Sequence, residues 1–386
     1  MTPTAATIYA LGIPFVDAFR HSAKERTWCD SVVVRVRTDD GSEGFGEGTP
    51  RPYVTGETAD GMVEHLARDL WPAVAGRPLP VLRTGADLAA MDALIPDVPC
   101  SGALVDHAAR AALELALVDA SLRARGASLG ALLPPCRPRV RYGGVITGGP
   151  LPRAIQLARQ MRLIGLGAIK IKVGFDDDVV RVRAIRDAVG PDVSLRVDAN
   201  GAWSLGQAVD VLHAVAPYGV AAVEQPLPRG PVAEWKRLRG LSPIPLVADE
   251  SLVTLADVEA LIAADAVDYV NIRVSKCGGL ARSLEIARRA ASAGVRVQVG
   301  SQVGETAILS AAGRHLAAAL PDVHFVEGSY GTLLLTEDVS AEGIRFGHGG
   351  EARVLNGPGL GIQVLEARLR KYACRVVELG MGGGEP

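Results

Sequence analysis

The chain is poor in cysteine and shows no pairing pattern in what it has. Cys29, Cys100, Cys136, Cys277 and Cys374 are scattered, odd in number and form no Cys-x-x-Cys. This argues against a disulfide framework or a thiolate zinc site and fits a reducing cytoplasm. Also missing is an excess of charge of one sign: 41 basic and 43 acidic residues, well mixed, give a formal net charge of −2. Such a balance offers no electrostatic footprint for nucleic acid or an anionic membrane, so a small-molecule partner is expected. No uninterrupted apolar run reaches bilayer length, and Met1-Thr2-Pro3-Thr4-Ala5-Ala6 lacks the basic stretch that opens an export signal. The expectation is a cytoplasmic protein, neither exported nor inserted in a membrane.

What the chain does have is apolar material. Its 386 residues are 48% hydrophobic and 22% charged, enough for large cores and two soluble domains. Residues 31–37 alternate as a strand should, and Asp39-Asp40-Gly41-Ser42 is a turn signal leading to a partner strand at Gly44-Phe45-Gly46-Glu47. Segments 58–75 and 102–126 read as helices, with Leu104, Ala108, Ala111, Ala112 and Leu115 on one face. This predicts an α+β domain over residues 1–130. The Pro-rich Leu133-Pro134-Pro135-Cys136-Arg137-Pro138 marks its end.

Beyond it, strand and helix signals alternate. Strands are expected near 139–145, 168–173, 193–198, 220–224, 245–249, 268–273, 295–300 and 323–327, with helices such as 178–189 and 281–293 between them. About eight βα units favour a closed parallel barrel over residues 131–330. The segment 331–386 is expected to pack back on the first domain, with a disordered tail at 380–386.

Three of the expected strands end in an acid. Asp198, Glu224 and Asp249 follow short apolar runs at steps of 26 and 25 residues. Catalytic groups of a β/α barrel gather at the C-terminal strand ends. Three hard oxygen donors there suit Mg²⁺ better than zinc; alternatively, each acid caps the helix that follows. The same rhythm reaches Lys170 and Lys172 on one side and Lys276 on the other. Lys170 and Lys172 are two apart on a strand and face the same way. They form either an internal salt-bridge network or, with one lysine's pKa lowered by a metal and a neighbouring ammonium, a general base. If a metal binds a substrate carboxylate, the adjacent carbon becomes more acidic. Lys172 could then remove its proton from one face while Lys276 returns it on the other.

At these residues the chain resembles the enolase superfamily, in its muconate-lactonizing-enzyme branch. The resemblance is carried by Ile169-Lys170-Ile171-Lys172-Val173-Gly174, Arg196-Val197-Asp198-Ala199-Asn200-Gly201, Val223-Glu224-Gln225-Pro226-Leu227, Ala248-Asp249-Glu250-Ser251 and Asn271-Ile272-Arg273-Val274-Ser275-Lys276-Cys277-Gly278-Gly279. It implies an α+β capping domain on a modified TIM barrel, (β/α)7β. It implies Mg²⁺ on Asp198, Glu224 and Asp249, acid/base roles for Lys172 and Lys276, and Lys170 as a charge near the substrate carboxylate. Asn200 and Glu250 would orient these groups. Specificity loops would lie at Phe15 to Cys29, where each of Arg20, His21, Lys24 and Arg26 grips a distal carboxylate or simply belongs to a solvated loop, and at Thr49 to Thr58, where Arg51 and Tyr53 would be substrate contacts. Ser301 and Glu327 complete the candidate substrate contacts. Relatives of this kind are often oligomers, so a homo-oligomer is expected.

Departures narrow the reaction. The seventh strand end reads Val299-Gly300-Ser301-Gln302, without the histidine of the mandelate-racemase and sugar-acid-dehydratase branches. The eighth reads Glu327-Gly328-Ser329, where dipeptide epimerases carry Asp-x-Asp for an ammonium group. The leading expectation is a racemase or epimerase of an N-acyl amino acid or dipeptide. The alternatives are a muconate-type cycloisomerase, a syn-eliminating lyase of the succinylbenzoate-synthase type, and a non-catalytic barrel that binds a metal and a carboxylate.

Overall fold

The structure, a computed structural model, describes residues 1–21, 24–97, 105–329 and 331–381. The expected tail from 382 and the expected helix start at 102 lie outside the described residues. Near the N-terminus, β1 (Pro3–Leu11), β4 (Val32–Thr38) and β5 (Glu43–Gly48) form an antiparallel sheet, flanked by a hairpin of β2 (Pro14–His21) and β3 (Lys24–Trp28). The turn between β4 and β5 closes through Thr38 N–H to Ser42 O at 3.0 Å, with Gly41 at φ 82°.

Helix α1 (His107–Arg123) lies across this sheet and is buried on every side. The approach is very close because β5 places Gly44, Gly46 and Gly48 on one face, opposite alanines spaced four apart on α1. A Cβ on Gly46 would stand 2.0 Å from Ala112 O, and one on Gly48 2.0 Å from Ala108 O. Only glycine permits this contact.

The second region is an eight-stranded parallel sheet curled into a barrel. After β6 (Arg139–Arg141) its strands are β7 (Gly144–Ile146), β8 (Ala168–Lys172), β9 (Ser194–Asp198), β10 (Val220–Glu224), β11 (Leu246–Ala248), β12 (Tyr269–Ile272), β13 (Arg296–Val299) and β14 (Val323–Val326), in that spatial order. Seven helices alternate with them: α2 (Leu151–Leu163), α3 (Asp178–Val189), α4 (Leu205–Val215), α5 (Val232–Leu241), α6 (Leu255–Ala263), α7 (Leu280–Ser292) and α8 (Ala307–Ala319). The capping domain and (β/α)7β barrel expected from the sequence are the observed fold. Ile169, Ile171, Leu195, Val197, Val270 and Val299 point out to the helices and build the main core. The alternate positions point into the barrel. Low in its interior, Ala222, Val247 and Tyr269 pack with Phe325.

The strand expected at 139–145 is in fact two. β6 leaves the barrel to pair with β15 (Glu351–Arg353), and Gly143-Gly144 turns the chain into β7. No ladder joins β7 to β14; among the described residues the seam is bridged by Gly143 N–H to Val326 O at 2.9 Å. The C-terminal strand β16 (Ala373–Leu379) returns to the capping sheet and pairs antiparallel with β1.

Buried carboxylates fasten helix starts, one within the capping region and two across to the barrel. Glu57 accepts from Ala108 and Ala109 N–H at the start of α1, both at 2.9 Å. Glu114, within α1, accepts from Leu280 and Ala281 N–H at the start of α7. Glu47 of β5 accepts from Thr306 and Leu309 N–H at the start of α8. Helix N-termini present unpaired N–H groups and a partial positive charge, so each carboxylate is satisfied without a cation. Burial raises all three pKa values, those of Glu57 and Glu114 to about 7.

Candidate active site

The strand period of two brings the charged residues together. Lys170 and Lys172 on β8, Arg196 and Asp198 on β9, Glu224 on β10, Asn271 on β12, Gln298 on β13 and Glu327 after β14 share the inward parity. Lys172, Asp198 and Glu224 stand side by side in the ladder. Two of the following residues, Asn200 (φ 47°) and Gln225 (φ 39°), adopt left-handed backbone. Such positions cost about 1–3 kcal/mol and persist where the surroundings fix them. Here Gln225 accepts from Asp249 and Ser251 N–H, both at 3.1 Å, tying the end of β10 to that of β11.

The acids and cations interlock. Lys170 Nζ lies 3.1 Å from Glu224 Oε1, 3.2 Å from Asp198 Oδ2 and 2.6 Å from Glu327 Oε2. Lys172 Nζ donates to Asp198 Oδ2 at 2.6 Å and to Asn200 Oδ1 at 2.8 Å. Arg273 Nη2 donates to Asp249 Oδ2 and reaches Glu224 Oε1 at 3.5 Å. Lys276 directs three donors at Asp249 Oδ1 (2.8 Å), Asp249 O (2.6 Å) and Asn271 O (2.8 Å). All of these residues are buried except Asn200, which is half-buried.

Burial alone would raise the Asp198 carboxyl, but the Lys172 and Lys170 ammoniums hold it far below the ordinary range. Burial of Asp249 is likewise outweighed by Arg273 and Lys276, and that of Glu327 by Lys170 and Arg196. Glu224 is different: burial, aided by Asp198 and Glu327 and opposed by Lys170, pushes it up to about 7. Burial and the adjacent Asp249 raise Glu250 to about 7 as well. Burial would lower Lys170, yet Glu224, Glu327 and Asp198 raise it above its usual value. The three carboxylates thus favour the charged form of Lys170.

Among the described residues no three acidic, histidine or cysteine side chains already form a metal-ligand cluster. The side chains nevertheless suit a hard cation. Asp198 and Glu224 converge on one ammonium, and Arg273 spans Glu224 and Asp249. Both bridging cations are flexible side chains at positions where the carboxylates demand positive charge. Two further buried oxygens, Glu250 Oε2 and Asn271 Oδ1, have no hydrogen-bond partner. An all-oxygen donor set of this kind fits Mg²⁺.

The remaining candidates divide. Tyr53, Ser301 and Glu327 line a cavity of about 510 Å³ that opens over Lys170 and Lys172, and Arg20 lies at the same cavity. Glu327 is fully engaged, its second oxygen accepting from Arg196 Nη2 at 2.7 Å. Arg26 and Arg51, expected as substrate contacts, are buried outside the cavity lining. They clamp Asp30 at 2.6 and 2.7 Å, and Arg51 also donates to Val303 O, locking the loop after β5 to the seventh strand end. The side chains of His21 and Lys24 lie outside the described residues. Neither His315, bonded to Leu360 O, nor His324, beside Asp322, lines the cavity. Glu305 accepts from Gln302 N–H, and burial raises it to about 8.

Reading charges at strand ends missed the layer beneath them. Arg196, stacked over Phe325 at 4.2 Å, bonds to Gln298 and Glu327, and Gln298 and Asn271 each donate to Glu224. Arg196 is two residues from Asp198, so parity alone could have assigned it. Arg273 was within a motif but had no obvious partner until the strands were closed.

Two family descriptions match the chain: "Mandelate racemase / muconate lactonizing enzyme, N-terminal domain" over residues 8–134 and "Enolase C-terminal domain-like" over residues 153–368. The chain is 29% identical to the N-succinyl-L-Arg/Lys racemase of Bacillus cereus over 376 residues, 96% of this chain and 98% of that protein. A crystal structure of the B. cereus racemase superposes with a TM-score of 0.90, covering 98% of this chain and 100% of the other. The hydrophobic dipeptide epimerase of Enterococcus faecalis is 32% identical over 297 residues, 76% of this chain and 80% of that protein. Muconate cycloisomerase 1 of Rhodococcus opacus is 29% identical over 366 residues, 92% of this chain and 94% of that protein. The dipeptide epimerase of Cytophaga hutchinsonii, solved with Mg and D-Ala-L-Val, is 27% identical with a TM-score of 0.87, covering 98% and 100% of the two chains.

Proposed function

The chain belongs to the mandelate racemase/muconate lactonizing enzyme family of the enolase superfamily, and on that footing we propose that it is a Mg²⁺-dependent racemase or epimerase of N-acyl amino acids. The observation that carries this reading is the placing of two lysines, each anchored to a carboxylate, on opposite sides of one barrel mouth. Lys172 ends the second barrel strand and Lys276 follows the sixth, so they stand four strand positions apart in a ring of eight.

Asp198, Glu224 and Asp249 would hold the metal, which when bound stabilises negative charge developing on a substrate carboxylate. Lys170 and Arg273 supply further positive charge at the same place. The buried cluster formally balances five carboxylates (Asp198, Glu224, Asp249, Glu250, Glu327) against five cations (Lys170, Lys172, Arg196, Arg273, Lys276). Adding a divalent cation and one substrate carboxylate leaves a surplus positive charge, which favours loss of a proton from one lysine. Lys172, with Asn200 and Asp198 orienting it, takes the α-proton on one face. Lys276, held by three acceptors, delivers a proton on the other.

Charge also favours an acylated nitrogen over a free ammonium. Glu327 is already shared by Lys170 and Arg196, and the buried Arg314 donates to Ser329 Oγ at 2.9 Å from behind the cavity wall. An ammonium placed beside Glu327 would meet these cations, with the carboxylate there already shared between two of them.

Proton NMR in D₂O with Mg²⁺ tests the reading. Both enantiomers of a substrate should exchange the α-proton and interconvert. Lys172→Ala should lose exchange from one enantiomer by at least about a hundredfold while still binding ligand, and Lys276→Ala from the other. Undiminished exchange in Lys172→Ala would sink its assignment. Product formation from muconate-like acids without inversion would favour the cycloisomerase reading.

A further inference from the structure

The cavity has two unlike parts. Its floor is the charged strand-end cluster, whereas one arm runs from the eighth strand end along α2, where the lining is Ala154, Leu157, Met161, Ile164, Leu166 and Phe346. Leu157 and Met161 lie one helical turn apart and remain partly exposed, although a barrel helix ordinarily buries such a face against its strands. The seam explains this. β7 and β14 form no ladder, and glycine stands at 143 and 144 on one side of the seam and at 328 on the other. Gly144 brings Met161 in as the arm's wall, since a Cβ there would stand 2.6 Å from Met161 Sδ.

The throat between floor and arm is Gly328-Ser329. Ser329 Oγ accepts from Arg314 Nη2, which leaves the hydroxyl's own O–H as a donor. A buried hydroxyl oriented in this way suits a carbonyl oxygen. We propose that the throat binds the amide carbonyl of the substrate's N-acyl group and that the apolar arm between α2 and the barrel seam holds that group's hydrocarbon tail. This deepens the reaction assigned above and rests on it.

The test uses N-acetyl-, N-butanoyl- and N-hexanoyl-alanine with Mg²⁺. For the wild type, kcat/KM for α-proton exchange should rise with acyl length, by up to about fourfold per buried methylene. Met161→Trp, which fills the arm, and Leu157→Glu, which charges it, should each reduce the hexanoyl-to-acetyl ratio at least tenfold. Ser329→Ala should raise KM for all three acids while leaving the length dependence in place. Thermal unfolding identifies any variant that fails to fold, and the remaining variants then carry the test. If no acid exchanges its proton, the reaction assignment fails, and saturation-transfer NMR of the same acids still reads the arm: N-hexanoyl-alanine should bind the wild type more tightly than N-acetyl-alanine, and Leu157→Glu should abolish the difference. A flat series in both turnover and binding overturns the proposal. So does a steeper dependence on side-chain length, measured with N-acetyl-alanine against N-acetyl-norleucine, than on acyl length.

Discussion

Two groups of buried carboxylates lie in this molecule, and they are satisfied in opposite ways. Glu47, Glu57 and Glu114 accept from backbone N–H groups at helix starts, partners fixed by the fold itself. Asp198, Glu224 and Asp249 are held by the tips of lysine and arginine side chains, which can rearrange. Burial raises the pKa in both groups, but only the barrel mouth adds cations strong enough to drive Asp198 and Asp249 the other way. Equal burial therefore does not mean equal role. A carboxylate capping a helix is finished as a piece of structure, while one held by flexible cations can exchange them for a metal or substrate.

Substitutions can test that contrast, the largest effect first. Replacing Lys172 or Lys276, the proposed acid/base pair, should cost at least about a hundredfold in enantiomer-specific exchange with little change in unfolding. Glu224→Gln should weaken Mg²⁺ binding by more than about tenfold, read by isothermal titration calorimetry, because it removes a charged oxygen from the centre of the cluster. Glu114→Ala should do the reverse, destabilising the fold by about 1–3 kcal/mol for each N–H left unpaired at the start of α7, measured by urea unfolding. Mg²⁺ affinity should be unaffected. If Glu114→Ala changed metal binding as much as stability, the two groups would not be separable.

The smallest effect concerns pH. A carboxyl whose folded pKa is raised binds more protons when folded, so its contribution is complete below its unfolded value and is lost as pH rises through the folded one. For Glu114 that window runs from about 4.5 to about 7. Stability of Glu114→Gln, followed by thermal unfolding from pH 5 to 8, should fall less over this interval than that of the wild type. The buried His107 and His315, lowered by burial to about 4, give the opposite slope and are common to both proteins. An unchanged slope would mean that Glu114 does not titrate there.

The sequence by itself determined much of the barrel and its charged stations, because strand parity and the repeat length of a βα unit are local properties. Two residues on one strand must face the same way, so Lys170 with Lys172 was legible, and Arg196 with Asp198 should have been. Whether an arginine in a loop points inward or outward is decided by what packs against it. Arg51 and Arg26 were therefore read as substrate contacts, whereas Asp30 pairs with both and Val303, 252 residues from Arg51, is brought to it only by folding. The same limit hid the role of Glu327, whose two partners lie 157 and 131 residues away, and the apolar arm along α2, which exists because two strands distant in sequence fail to pair. Periodicity and propensity reside in the chain, but the pairing of charges and the shape of a cavity depend on long-range closure, and only the tertiary structure supplies that.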